Sequence, residues 1–138
     1  MRNNWLKTGY LSNGVINLSP RQSYDLSRKG AVIVDVRESY MNSFKMFNVE
    51  KVIYMPFSGL QKSYPDLPVD KPLIFADVNG SKSRESVLFM YSKGYENVAS
   101  MAGGMDAWER EGLPLTNGKS VRTPGFRTDG RKTGFRIR

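Results

Sequence analysis

The chain has 138 residues, 39% of them hydrophobic, and a formal net charge of +8, with no cysteine and no histidine. That length supports one well-buried core and is short for two ordinary domains. Lack of cysteine excludes disulfides, thiolate metal sites and sulfur nucleophiles; lack of histidine removes the side chain most used for neutral-pH proton transfer and for zinc.

Any chemistry must then rest on carboxylates, lysine, tyrosine or hydroxyls, or on a cofactor, although neither a cofactor nor a metal site is expected. No apolar run approaches the roughly 18 residues that span a bilayer. The start, "MRNNWLKTGYLSNGVINL", lacks the apolar stretch of a secretory signal. The expectation is a cytoplasmic protein without a membrane span.

Residues 1–16 read as an N-terminal extension. "NLSPRQSYDLSRKG" then opens a helix, with Ser19 as N-cap, Pro20 at the first helical position, Gln22 at the capping-box position and Gly30 as the stop. "AVIVDV" is a short, β-branched and continuously apolar run, the pattern of a central parallel strand covered on both faces. "RESYMNSFKMF" reads as a helix. "KVIYMPF", "PLIFA" and "NVASM" read as further strands, each separated from the last by a segment long enough for a crossover.

"SKSRESVLFMYSKGY" predicts a stronger helix ending at Gly94. Its five consecutive apolar residues, Val87 to Tyr91, exceed one stripe and predict burial from more than one side. "GGMDAWEREGLP" predicts a last short helix that carries Trp108 inward as a core anchor and stops at Gly112. Strands alternating with helices imply an α/β domain with a mainly parallel sheet.

From Thr116 onward the pattern is lost. Residues 116–138 hold seven basic side chains against Asp129 alone, a net of +6 out of +8, and read as a basic, flexible tail. Phe126 and Phe135 lie among its arginines, so nucleic acid or another anionic surface is a candidate partner for this segment.

The segment "PLIFADVNGSKSRES" runs from a strand through a small polar loop into a helix, where α/β proteins place nucleophiles and phosphate cradles. Asp77, Val78, Asn79, Gly80, Ser81, Lys82, Ser83 and Arg84 are the candidate binding residues. Lys82 and Arg84 are placed to meet an anionic group. "FADVNGS" also resembles the D-x-D-G-T/S element of haloacid-dehalogenase-type phosphatases, but Asn79 replaces the second carboxylate and only about 60 residues follow, so a carboxylate nucleophile is the weaker reading.

Taken together, "DVR" at Asp35 to Arg37, "NV" at Asn97 and Val98, Gly103, Gly104, Ala107 and Trp108, and the closing "GLP" resemble a rhodanese-like domain over about Asn17 to Leu115. The resemblance implies a single domain over residues 17–115 with a mainly parallel, five-stranded sheet flanked by helices on both faces. In that family the loop after the fourth strand reads C-x-x-G-x-R, the cysteine carrying a persulfide at the focus of backbone amides. Aligned on Gly80, Asp77 stands at the cysteine and Lys82 at the arginine. A "GHI" element expected before the third strand is replaced by Phe47, Asn48 and Val49. The phosphatases sharing this fold need the same cysteine.

The resemblance therefore implies an inactive member with no catalytic residue in the loop. Asp77 is expected to accept hydrogen bonds from loop amides, and Asp35 with Arg37 to form a buried ion pair or hydrogen bonds. Function is expected to be binding, docking or regulatory, with a protein partner or an anion at the loop. The alternatives are a rhodanese-type sulfurtransferase with altered or residual activity, and binding through the basic tail. Plant chloroplast members with aspartate at this position make the chloroplast the alternative location.

Overall fold

The computed structural model describes residues 7–38 and 45–117, so the tail beyond Asn117 and the middle of "RESYMNSFKMF" lie outside the described residues. The protein divides into two units. The larger spans residues 1–38 and 49–113 and the smaller 39–48 and 114–138.

The larger unit is built on strands β1 (Tyr10–Ser12), β2 (Val15–Leu18), β3 (Val32–Asp35), β5 (Val52–Tyr54), β6 (Leu73–Ala76) and β7 (Val98–Met101), which form one six-stranded sheet in the order β1-β2-β7-β6-β3-β5. Five strands run parallel, as expected. The sixth, β1, is antiparallel to β2 at one edge and lies in the segment read as an extension, and the boundary expected at residue 17 falls inside β2. Asn13 and Gly14 join the pair in a two-residue turn, both with positive φ (53° and 79°), the backbone that Asn–Gly favours in tight hairpins.

Helix α1 (Pro20–Ser27) starts as the sequence predicts. Ser19 Oγ accepts the Gln22 N–H at 3.0 Å and Gln22 Oε1 accepts the Ser19 N–H at 2.8 Å, closing a capping box ahead of Pro20. Strands β3, β6 and β7 are buried along their whole length, so both sheet faces are covered. One face carries Val32, Val34, Leu73, Phe75 and Val98 in a core cluster with Val87 and Met90 of α3 (Ser81–Ser92) and with Leu60 of the short α2 (Leu60–Ser63). The alternate residues Ile33, Ile74 and Ala99 point the other way and are equally buried. Helix α1 and α4 (Gly104–Arg110) pack on each other through an edge-to-face contact of Tyr24 and the fully buried Trp108, ring centroids 6.0 Å apart.

Two expectations require correction. Helix α3 buries Ser83, Ser86, Val87 and Met90, and Phe89 and Tyr91 pack partly buried against the core, but Leu88 is 47% exposed. The apolar run of Val87 to Tyr91 overstates burial at Leu88 alone, because the helical period turns that position outward whatever its neighbours are. The second is Lys45–Phe47, read as the end of a helix; it is strand β4, paired antiparallel with β8 (Leu115–Asn117) to make the smaller unit's two-stranded sheet. Cross-strand pairing overrides a local helical preference that no residue of the segment enforces. Residues 45–48 and 114–115, placed in the main domain by the sequence, belong to this smaller unit. Among the described residues no helix is long and apolar enough to cross a membrane.

Candidate functional site

The loop after β6 lies at the carboxyl ends of adjacent parallel strands, where this architecture concentrates ligand sites. β6 pairs with β3 on one side, bringing Asp35 opposite Ala76, and with β7 on the other. Asp35, Asp77 and Gly103 therefore follow from neighbouring strand ends.

Asp77 is 4% exposed and its carboxylate is consumed by the loop itself. Oδ1 accepts the Gly80 N–H at 2.5 Å and Oδ2 accepts the Lys82 N–H at 2.8 Å. These are backbone donors at the start of α3, whose aligned peptide dipoles favour a negative charge at this end. Asn79 Oδ1 accepts both the N–H and the hydroxyl of Ser81, at 3.1 and 3.0 Å, which closes a tight turn. Gly80 takes φ 102°, and a Cβ there would stand 3.1 Å from Gly103 N.

Gly103 and Gly104 support this loop from the next strand end. The Met105 N–H donates to Asp77 O at 2.8 Å and the Asp106 N–H to Val78 O at 3.0 Å, so α4 starts directly against the loop backbone. That approach requires glycine: Gly104 has φ 57°, and a Cβ on it would collide with Asp77 O and lie 2.7 Å from the Val78 carbonyl. Below the loop, Ser83 Oγ donates to Gly80 O at 3.0 Å and lies 2.7 Å from Ser100 Oγ of β7, both side chains fully buried. With Ser83 donating to the carbonyl, Ser100 donates to Ser83, and the two hydroxyls satisfy one another.

Asp35 and Arg37 form a two-pronged buried pair, Arg37 Nε to Asp35 Oδ1 at 3.0 Å and Nη2 to Oδ2 at 2.8 Å, with the Arg37 N–H adding a third bond to Oδ1 at 3.1 Å. Both side chains are at most 2% exposed. The pair braces the end of β3. Lys82, standing where the resemblance expects arginine, directs its ammonium over the Phe57 ring at 4.8 Å from the centroid and lies 3.9 Å from Glu85. Both partners of that ion pair are more than half exposed, which makes it weak. Arg84 Nη1 reaches back to Gly80 O at 3.5 Å.

The structure thus brings Asp77 to Arg84 together in one loop and helix start, with Gly103 and Gly104 against it, Asp35 and Arg37 beside it, and Trp108 in the core. Phe57 and Glu38 escaped the sequence reading. Glu38 accepts the Ser58 N–H and hydroxyl at 3.0 and 2.9 Å and so pins the turn that carries Phe57. No local pattern announces that contact, since it joins residues 20 apart. Among the described residues no three carboxylates gather as a metal site.

Chemically, the loop presents a filled cradle. The amides that point at its focus bond to an internal carboxylate, and the sequence has no cysteine thiol to replace it.

The family model for the rhodanese-like domain matches residues 19–111. Thiosulfate sulfurtransferase GlpE of Haemophilus influenzae is 31% identical over 102 residues, covering 71% of this protein and 91% of that one. The same enzyme of Actinobacillus succinogenes is 31% identical over 110 residues, covering 76% and 94%. Among solved structures, a rhodanese-related protein of Thermoplasma volcanium superposes with a TM-score of 0.65 at 26% identity, covering 72% of this protein and 96% of its own length. The solution structure of the rhodanese-like domain of an Anabaena protein has the same TM-score at 20% identity, covering 88% and 93%, and shares the fold. Matched along most of its length, with the parallel sheet and the loop after β6 in place, this protein belongs to the rhodanese-like domain family.

Proposed function

We propose that this rhodanese-like domain is a non-catalytic docking or regulatory module whose former sulfur-binding loop is filled by its own Asp77. The observation that carries this reading is the pair of bonds from Gly80 N and Lys82 N to the Asp77 carboxylate in a protein without cysteine. A persulfide needs a thiolate at that focus, and the carboxylate that stands there is buried and already hydrogen-bonded. Recognition then falls to the exposed rim of the same loop, where Ser81, Lys82 and Arg84 lie at the solvent surface and Lys82 stands over Phe57. Such a rim suits a protein partner that presents a carboxylate or another anionic group.

Two measurements test the proposal. A thiosulfate–cyanide assay, run with and without added dithiol, is expected to give no turnover above a loop-deleted control; turnover would restore the sulfurtransferase reading. Capture from native extract with wild type and with the exposed-residue variant Lys82→Ala/Arg84→Ala is expected to yield a partner retained by the first and lost by the second. Equal retention would move recognition away from this face.

A further inference from the structure

The loop contains Asn79 followed by Gly80, one of three Asn–Gly pairs in the sequence, with Asn13–Gly14 and Asn117–Gly118. Such a pair is chemically labile because the glycine nitrogen can close a five-membered ring on the asparagine amide and no Cβ obstructs it. The nitrogen attacks Cγ and a new bond forms between them as the bond from Cγ to Nδ2 breaks. The backbone amide proton leaves with the departing ammonia, and a succinimide results. Solvent water then opens the ring to aspartate or isoaspartate. No oxidant or enzyme is needed.

We propose that Asn79 is a latent self-modification site held shut by the Asp77 carboxylate, and that Asn13 is the pair that reacts in the native protein.

Three features close the ring path at Asn79 although its side chain is exposed. The attacking nitrogen donates its hydrogen to Asp77 Oδ1 at 2.5 Å, and losing that proton would set an amide anion against a carboxylate. Asn79 Oδ1 is tethered by the Ser81 N–H and hydroxyl, which fixes the amide away from the following nitrogen. Gly80 itself is buried against Gly103 N and Met101 O. The peptide cannot rotate without opening the start of α3.

Asn13 has none of these restraints. Both residues of the turn are exposed, nothing lies within 4 Å of the space beside Gly14, and Gly14 N donates to no described residue. The turn joins a three-residue strand at the sheet edge, which opens at small cost.

The test is peptide mapping by mass spectrometry of intact protein incubated at mildly alkaline pH, native and in denaturant, with Asn117–Gly118 read separately. In denaturant Asn13 and Asn79 should react at similar rates. In the native protein Asn13 should keep a rate within a few-fold of that value, while Asn79 slows by about tenfold or more, the scale of a hydrogen bond to a charged acceptor. Asp77→Ala should release Asn79 toward its denatured rate and leave Asn13 unchanged. Hydrogen exchange of the wild type, which needs no variant to fold, should show the Gly80 amide protected and that of Gly14 open. Equal native and denatured rates at Asn79, a Gly80 amide as open as Gly14, or continued protection in a folded Asp77→Ala variant would overturn the proposal.

Discussion

Lys82 donates its backbone N–H to Asp77 Oδ2 at 2.8 Å, so a side chain at the end of β6 is bonded to the first turn of α3 five residues later. Since Oδ1 simultaneously accepts from Gly80 N, both oxygens must act as acceptors. Asp77→Asn retains one acceptor and turns an N–H₂ group toward a backbone donor. The expected loss is about 1–2 kcal/mol, the scale of an unsatisfied buried group. Urea unfolding at neutral pH measures it, and an unchanged midpoint would remove the structural role assigned to this carboxylate.

Asp77→Cys asks whether the cradle itself survives. Backbone donors at a helix start favour a thiolate over a thiol, so the introduced side chain should react with alkylating reagents faster at neutral pH than a free thiol does. Efficient sulfur transfer is not expected, because Lys82 lacks the planar fork of arginine and lies over Phe57. The pH dependence of alkylation reads the outcome, and a rate profile matching a free thiol would show that the loop does not act as an anion cradle.

Arg37→Ala should be the most damaging single change near the site. It leaves the fully buried Asp35 carboxylate without its two-pronged partner, and breaking such a pair costs about 3–5 kcal/mol. Replacing both residues together by apolar ones of similar volume should cost less than Arg37→Ala alone. Denaturant midpoints of the single and double variants decide the order.

Gly104→Ala should disrupt the loop from the opposite side. Its φ of 57° and the absence of space beside Asp77 O and the Val78 carbonyl leave no room for a methyl group. The expected loss is several kcal/mol, about 1–3 from backbone strain and the rest from displacing the bonds of Met105 N and Asp106 N. Gly112→Ala, which shares a positive φ but has nothing within 4 Å, should be milder. Equal thermal shifts in the two variants would refute the close-approach argument.

Tyr95 gives an alkaline signature. Its single hydroxyl proton is shared between Leu67 O at 2.8 Å and Tyr64 O at 3.1 Å, and its pKa is raised above 10.0, first by burial and then by the negative charge of ionised Tyr64 and of Asp66. A raised folded-state value means that the neutral phenol is the form the fold prefers. The stabilisation is therefore fully present below about pH 10, the unfolded value, and is lost as pH rises through the higher folded value. Tyr95→Phe should lose about 1 kcal/mol at neutral pH, since the proton shared by the two carbonyls is lost, and the gap to wild type should narrow above about pH 10. Stability curves of both proteins against pH check the sign.

The sequence by itself determined the parallel core, the start of α1 and the lack of a nucleophile at the cysteine position. "AVIVDV", "PLIFA" and "NVASM" are legible because a strand covered on both faces must be apolar throughout, and Ser19, Pro20 and Gln22 announce a helix start through local hydrogen bonds alone. Residue absence is equally local: no fold can supply a thiol the sequence lacks. The tertiary structure decided what depends on pairing between distant segments. Lys45–Phe47 became a strand by meeting Leu115–Asn117, and Leu88 stayed at the surface because the helical turn points it away from the core that Val87, Phe89 and Met90 meet. Residues 1–16 read as an extension, and only the pairing of Tyr10–Ser12 with Val15–Leu18 added a sixth strand to the sheet. At the site, sequence spacing set Asp77 against its own loop amides. The need for Gly104 and the contact of Lys82 with Phe57 arise from close approaches between separate strand ends, which no periodicity within one segment encodes.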